Sequence, residues 1–181
     1  MVAAGPAEFR AVVLSLRDGS QVTLRAIRED DRHMLQAALR ALSSESRYSR
    51  FMSAVRELSP AMLDRATRPD AHREFQLVAV AGSGSDEAIV AGTRYCPSAD
   101  TTTCEFAIAV VDAWQGRGLA SQLLQALMQA ARERGFERME GYILASNPRM
   151  LKLARRLGFV EVDSPEGPSV RLVRCDLTRV P

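Results

Sequence analysis

The chain has 181 residues, of which 46% are hydrophobic and 25% charged, and 24 basic against 22 acidic side chains give a formal net charge of +2. These values are typical of one globular domain and exclude a strongly basic nucleic-acid binder. No apolar run approaches about 20 residues, so we expect no membrane span, and the N-terminus lacks the features of a signal peptide. Three separated cysteines predict reduced thiols and a cytoplasmic location, and two histidines without partners at ligand spacing predict no metal site. We expect residues 1–8 to be flexible and residues 9–181 to form one domain, as a monomer or homodimer.

The first half of the chain predicts a hairpin followed by helices. Alternating apolar residues in 12–16 and 22–27 flank Asp18-Gly19, a strong hairpin signal. A helix is expected after the acidic residues 29–31, and a second short one begins near Ser43. A serine cap followed by a proline predicts a third helix over residues 60–67.

The second half alternates between strands and helices. Apolar runs predict strands at 75–81, 88–95, 103–111 and 138–144, and a last strand pair at 159–162 and 170–175. Leucines and alanines at helical spacing predict a helix over about 117–134. A second helix begins at Asn147-Pro148, where asparagine can act as the N-cap.

The turn that joins the third of these strands to the long helix reads Gln115-Gly116-Arg117-Gly118-Leu119-Ala120, and we call residues 115–120 the glycine turn. The first N–H groups of a helix have no partner within the helix, and the helix dipole adds partial positive charge there. Glycines let the backbone approach a ligand closely. The turn therefore predicts an anion site. It lacks the Lys-Ser/Thr of a P-loop and the third glycine of a dinucleotide-binding turn.

The glycine turn fits the pattern Gln/Arg-x-x-Gly-x-Gly/Ala, the pyrophosphate loop of the GCN5-related N-acetyltransferases (GNAT superfamily), which the chain resembles over roughly residues 20–178. Segments 24–31, 45–51 and 145–150 are similar to the acetyltransferase domain of bacterial Pat-type protein lysine acetyltransferases. That domain is often fused to an acyl-CoA synthetase-like module, which a chain of this length cannot hold, so a stand-alone version is implied.

The resemblance implies an α/β (α+β) fold, with a mixed, mostly antiparallel sheet of about six or seven strands flanked by helices. It also implies acetyl-CoA as co-substrate and direct acetyl transfer, in a ternary complex, to a primary amine, most simply a protein lysine. A small-molecule amine acceptor and a non-catalytic acyl-CoA-binding regulatory domain remain as alternatives. Acetyl-CoA is expected where the strand bearing Glu105 splays from the strand at 138–144, and residues 29–72 are expected to build the acceptor site.

The resemblance further implies which residues hold acetyl-CoA. The expected contacts come from the strand residues before the turn, the glycine turn itself and the cap of the late helix: Ile108, Ala109, Val110, Gln115, Gly116, Arg117, Gly118, Leu119, Ala120 and Asn147. A backbone N–H near a bulge, around Ala109 or Val110, is expected to stabilise the oxyanion. Asn147 can also act purely as an N-cap, and Arg117 as a solvated surface residue.

Glu105 is the candidate general base, because an alkylammonium must lose a proton before it can attack a thioester. Strand alternation places Glu105 on the face shared with Ala107 and Ala109, opposite Phe106. The resemblance to Pat-type enzymes points to the same position. The alternatives are a solvent-facing glutamate or an ion-pair partner of Arg94.

Two further features concern the substrates. Ala154 stands where many superfamily members have a tyrosine that protonates the leaving thiolate, so no acid is named. Arg47, Arg50 and Arg56 can attract an acidic acceptor or be solvated helix faces.

Overall fold

The computed structural model describes residues 9–70 and 73–179, so the expected flexible segment 1–8 lies outside the described residues. The described strands are β1 (Val12–Ser15), β2 (Gln21–Ala26), β3 (Phe75–Ala81), β4 (Ala88–Pro97), β5 (Thr103–Val110), β6 (Arg138–Leu144), β7 (Val160–Val162) and β8 (Val170–Asp176). The described α-helices are α1 (Arg32–Ala41), α2 (Ser44–Phe51), α3 (Pro60–Thr67), α4 (Leu119–Glu133) and α5 (Pro148–Arg156). In these ranges no helix is long and apolar enough to cross a membrane.

The strands form one sheet in the order β1-β2-β3-β4-β5-β6-β8-β7. Every neighbouring pair is antiparallel except β5 and β6, which run parallel. The expected mixed, mostly antiparallel α/β architecture is confirmed. The described sheet has eight strands rather than six or seven, because the short edge strands β1 and β7 both pair with their neighbours.

The main core lies between the sheet and helices α4 and α5. Leu119, Leu123 and Leu127 recur at helical spacing and are almost completely buried, so α4 places one apolar face on the sheet. Gly135 follows the helix with a φ of 87°, which is the left-handed conformation of a helix C-cap. This packing fixes the start of α4 against the end of β5, where the glycine turn lies.

Helix α1 covers the opposite side of the sheet over a smaller core of Val78, Val80 and Ile89. A buried ion pair anchors the start of this helix: the Arg25 guanidinium contacts both carboxylate oxygens of Asp31, at 2.6 and 2.7 Å. Bidentate geometry makes this a strong charge-assisted contact. Helices α1, α2 and α3 thus form a separate layer in front of the sheet.

Candidate active site

The glycine turn presents a run of unpaired backbone donors. Gly116 and Gly118 have φ angles of 77° and 89°, in the left-handed region that favours glycine. Among residues 9–70 and 73–179, no acceptor takes a hydrogen bond from the backbone N–H groups of residues 116–121. These groups lie at the positive end of the 15-residue helix α4. The turn can therefore hold a phosphate or pyrophosphate through backbone amides.

The side chain of Arg117 is already engaged within the protein. Its guanidinium forms a 2.8 Å salt bridge with Asp18, donates a 2.7 Å hydrogen bond to the Ala113 carbonyl and lies 4.6 Å from the centre of the Trp114 ring. Arg117 is thus neither a free cation at the ligand site nor a simple solvated residue. It fastens the glycine turn to the β1–β2 hairpin, and its backbone N–H remains available.

A cleft opens where β5 and β6 separate. The two strands pair only from Thr103↔Arg138 to Glu105↔Glu140. At the next position the Phe106 ring packs directly over Gly141, where a Cβ atom would lie 2.4 Å from the ring. The ring also contacts Phe159 with its centre 5.2 Å away. Phe106 therefore occupies the point at which the strands part, and the expected splay between these strands is present.

Glu105 lies at the last paired position before the cleft opens. The residue is exposed, as the alternative of a solvent-facing glutamate expects, and among the described residues it forms neither a hydrogen bond nor a salt bridge. The expected alternative of an ion pair with Arg94 is therefore not formed; Arg94 lies 3.7 Å from Glu74 instead. Desolvation by the surrounding protein, and secondarily the charge of Glu140, raise the pKa of Glu105, while Arg50 and Arg94 act in the opposite direction. A carboxylate with a raised pKa and no partner is suited to accept a proton.

Glu140 is a neighbour of the candidate base that the sequence did not single out. The parallel register places Glu140 directly beside Glu105 on the same face of the sheet. Its carboxylate contacts Arg174 at 3.0 Å and accepts a hydrogen bond from Ser98 at 3.1 Å. The two glutamates become neighbours only through the register of β5 against β6. No local sequence pattern indicates that register, so the sequence could not reveal the pair.

A pocket of about 390 Å³ lies in front of β5, between the sheet and helices α1–α3. The Ala107 and Ala109 side chains form its floor, on the face that also bears Glu105. Its walls are mostly apolar, with Leu39 and Met62 among them, and it also contains Arg50. The pocket includes residues from the expected acceptor region, 29–72.

A hydrogen-bond network joins this pocket to the glycine turn. Asp112, just before the turn, accepts hydrogen bonds from the Ser43 backbone N–H and hydroxyl, both at 2.8 Å, and from the Ser46 hydroxyl at 2.9 Å. Gln115 donates to the Ser46 hydroxyl and to the Val110 carbonyl, both at 3.1 Å. These contacts fix the start of α2 against the turn, and they were not predicted. The Gln115 amide therefore has a structural partner within the protein.

The sequence matches the family described as the acetyltransferase (GNAT) domain over residues 21–160. The chain belongs to the GNAT acetyltransferases. An acetyltransferase of Pseudomonas aeruginosa is 34% identical over 154 residues, which cover 85% of this chain and 83% of that protein. The acetyltransferase Pat of Mycolicibacterium smegmatis is 32% identical over 152 residues, covering 83% of this chain but only 45% of that longer protein.

Solved structures agree with this assignment. The GNAT domain of S. lividans PAT has a TM-score of 0.83 and 30% identity, and the match covers 93% of this chain and 99% of that domain. The yncA protein of Salmonella typhimurium, a putative acetyltransferase solved with its cofactor acetyl-CoA, shares the fold with a TM-score of 0.67 at 18% identity, over 86% of this chain and 94% of that one. This GNAT enzyme is an acetyltransferase that uses acetyl-CoA, and the free N–H groups of its glycine turn fit the pyrophosphate of that co-substrate.

The strand residues before the turn of this GNAT enzyme follow a continuous register. The β4–β5 ladder has no shift, so the bulge expected near Ala109 is absent; the irregularity lies instead between β3 and β4, at Ala79/Val80. The Val111 N–H donates to the Val90 carbonyl on β4. Because N–H groups alternate in direction along a strand, those of Val110 and Ile108 point away from β4 toward the cleft, and that of Ala109 points to β4.

The start of α5 lies on the other side of the GNAT cleft. Asn147 caps this helix through a 3.1 Å hydrogen bond from the Met150 N–H to its side-chain oxygen, so the capping role is present. Ala154 is completely buried in the main core and offers no acid. Within the described ranges, no group of three or more histidine, cysteine, aspartate or glutamate side chains could hold a metal ion.

Proposed function

We propose that this GNAT enzyme transfers the acetyl group of acetyl-CoA directly to a primary amine, with Glu105 as the general base. The observation that carries the proposal is the position of Glu105: an unpartnered carboxylate with a raised pKa, at the opening of the β5–β6 cleft and beside the front pocket. The glycine turn would hold the pyrophosphate through the N–H groups of residues 116–121, and Asn147 would border the pantetheine arm.

In the proposed reaction, Glu105 accepts a proton from the acceptor ammonium, and the free amine attacks the thioester carbonyl. The carbon–sulfur bond then breaks, and coenzyme A leaves as the thiolate, whose low basicity allows departure without a dedicated acid. The acylated nitrogen gives its extra proton to this thiolate, so the products are the neutral amide, the coenzyme A thiol and one proton on Glu105. The N–H of Val110 points into the cleft and is the donor that we propose for the oxyanion, in preference to that of Ala109. Direct transfer requires no covalent enzyme intermediate.

We propose a protein lysine as the acceptor. The support is similarity to related proteins. The GNAT domain of S. lividans PAT matches 93% of the chain, and Pat of M. smegmatis is similar over 83% of it. Purified enzyme should be incubated with acetyl-CoA and a library of lysine peptides, and products identified by mass spectrometry. Acetylation at the lysine side-chain nitrogen is expected. Transfer to none of the peptides, with transfer to small amines, would refute a protein acceptor.

A small-molecule amine is the second candidate acceptor, and the front pocket is the observation that favours it. The pocket lies between the sheet and α1–α3 and has a volume of about 390 Å³, which suits a ligand of modest size. A panel of small primary amines, followed by release of the coenzyme A thiol, would test it. Saturable rates with these amines but not with lysine peptides would favour this acceptor class.

A further inference from the structure

Arg50 is a partly buried cation without an ion-pair partner. It lies near the end of α2 and lines the front pocket, and its guanidinium lies 4.7 Å from the centre of the Phe51 ring. Among the described residues, Arg50 has no salt bridge and no hydrogen bond to a side chain or carbonyl. The other two arginines that the sequence suggested for an acidic acceptor have different surroundings. Arg47 donates a 2.6 Å hydrogen bond to the Leu42 carbonyl, and Arg56 is exposed. Of the three arginines, only Arg50 reaches the pocket.

A second cation lies beside Arg50. Arg94, on β4, also lines the pocket and donates a hydrogen bond to the Cys96 sulfur. It is 3.7 Å from Glu74, but that carboxylate is held more closely by Arg65, at 3.0 Å. Glu74 therefore offsets only part of the charge of two arginines. Three arginines line the pocket, and Glu74 contacts two of them, Arg65 and Arg94. Among the described residues, the other nearby carboxylate, Glu105, forms no salt bridge to any of the three.

Arg50 keeps its charge at neutral pH, and the nearby Glu105 attracts it without forming a salt bridge. Desolvation, and secondarily repulsion from Arg94, lower the pKa of Arg50 to about 10, so the guanidinium still carries its charge. A cation removed from water is unfavourable unless an anion accompanies it. The guanidinium lines the pocket that lies before Glu105. An anion that enters this pocket can supply the direct ion pair that Arg50 lacks.

We propose that Arg50 and Arg94 form a carboxylate-binding subsite of the acceptor pocket. The inference rests on the proposed function, because it describes how the acceptor of that reaction is recognised. Arginine forks match the planar geometry of a carboxylate, with two parallel hydrogen bonds. A carboxylate of the acceptor would take the place of the ion-pair partner that Arg50 lacks.

The spacing of the subsite and the base fits an acceptor that carries both charges. Arg94 opposes Ala107, and Ala107 is two residues from Glu105 on the same face, so Arg94 and Glu105 are diagonal neighbours with backbones about 7–8 Å apart. An acceptor with a carboxylate a few bonds from its amine can reach both groups at once. Its apolar part would contact the wall that contains Leu39 and Met62. A free amino acid has this chemistry, and so does a protein lysine with an acidic neighbour.

Direct binding tests the subsite independently of catalysis. The probes are 4-methylpentanoate and the matched alcohol 4-methylpentan-1-ol, titrated into the full chain by ligand-observed NMR. We expect the carboxylate to bind about tenfold or more tightly than the alcohol, and Arg50→Gln to abolish that preference. Arg56→Gln removes the same charge at an exposed site and should retain it, and Arg50→Lys should retain part of it. Equal binding of the two probes by the wild type, or equal preference in Arg50→Gln and Arg56→Gln, would overturn the proposal.

Acetyl transfer then distinguishes the two sources of the carboxylate. One pair of acceptors is L-leucine and L-leucinamide; the other is a lysine peptide with a flanking aspartate and the same peptide with asparagine. A carboxylate preference that Arg50→Gln removes supports the subsite, in whichever pair it occurs. Equal kcat/KM within both pairs in the wild type would overturn it. A protein that acetylates none of these acceptors, and none of the peptides and small amines of the panels above, would refute the proposed function, and the binding titration would still test the subsite.

Discussion

Replacing Gly141 by alanine tests the packing of the Phe106 ring over Gly141, at the point where β5 and β6 separate. A Cβ atom at this position would lie 2.4, 2.7 and 2.8 Å from three atoms of the Phe106 ring. The ring is buried and contacts Phe159, so it cannot move aside freely. Gly92→Ala is the matched control, because Gly92 also lies within a strand of the same sheet, and its Cβ would meet nothing closer than 3.7 Å.

The expected magnitude follows from comparing the two variants. Both gain the same preference of alanine over glycine in a strand, so the difference between them is the overpacking cost, about 1–3 kcal/mol. For a domain of this size, each kcal/mol lowers Tm by about 2–4 °C, so Gly141→Ala should melt about 2–12 °C below Gly92→Ala. Adding Phe106→Leu should recover part of the loss only in the Gly141→Ala background. Equal Tm values for the two single variants would show that the Phe106 ring does not pack closely on Gly141.

Three further predictions have defined outcomes. Asp31→Ala leaves the buried Arg25 unpaired and should lower the free energy of unfolding by about 3–5 kcal/mol in urea denaturation. The control Asp64→Ala, at an exposed ion pair, should lower it by at most about 1 kcal/mol. Similar losses in the two variants would contradict the argument that burial makes the Arg25–Asp31 pair important. Desolvation is the main cause of the raised pKa of Glu105, and the charge of Glu140 adds to it. Glu140→Gln removes that charge, so the acidic limb of the kcat/KM profile should move to lower pH. An unmoved limb would exclude electrostatic coupling of the two carboxyl groups. Gly118 has a φ of 89°, so Gly118→Ala should strain the glycine turn and weaken the binding of acetyl-CoA measured by calorimetric titration. Unchanged affinity would exclude the turn as the phosphate site.

Local sequence patterns were sufficient for most of the secondary structure. The strands expected at 75–81 and 138–144 have those bounds in the structure, and α4 begins two residues after its expected start. Apolar spacing and glycine positions act over a few residues, so they can be recognised in a single sequence. The glycine turn belongs to the same category, because its left-handed glycines and free amides are properties of a short segment.

Contacts between distant segments were not predicted. Arg117 pairs with Asp18, and Glu140 lies beside Glu105, because the sheet brings together strands that are far apart in the chain. Pairing register and side-chain direction determine these contacts, and neither is encoded in a local pattern. Arg50 illustrates the same limit: helical spacing defines a face of α2, but only the packing of α2 over β5 shows that this side chain lines the pocket.

The role of Glu105 is the central claim, and Glu105→Gln tests it most directly when acetyl-CoA affinity and turnover are measured on the same preparation. The variant keeps the size of the side chain and removes its negative charge together with its capacity to accept a proton. Calorimetric titration should give the wild-type affinity for acetyl-CoA, while kcat for the best acceptor should fall by about 10²–10⁴-fold. Wild-type turnover in Glu105→Gln would contradict the account, because the amine would then lose its proton to another group.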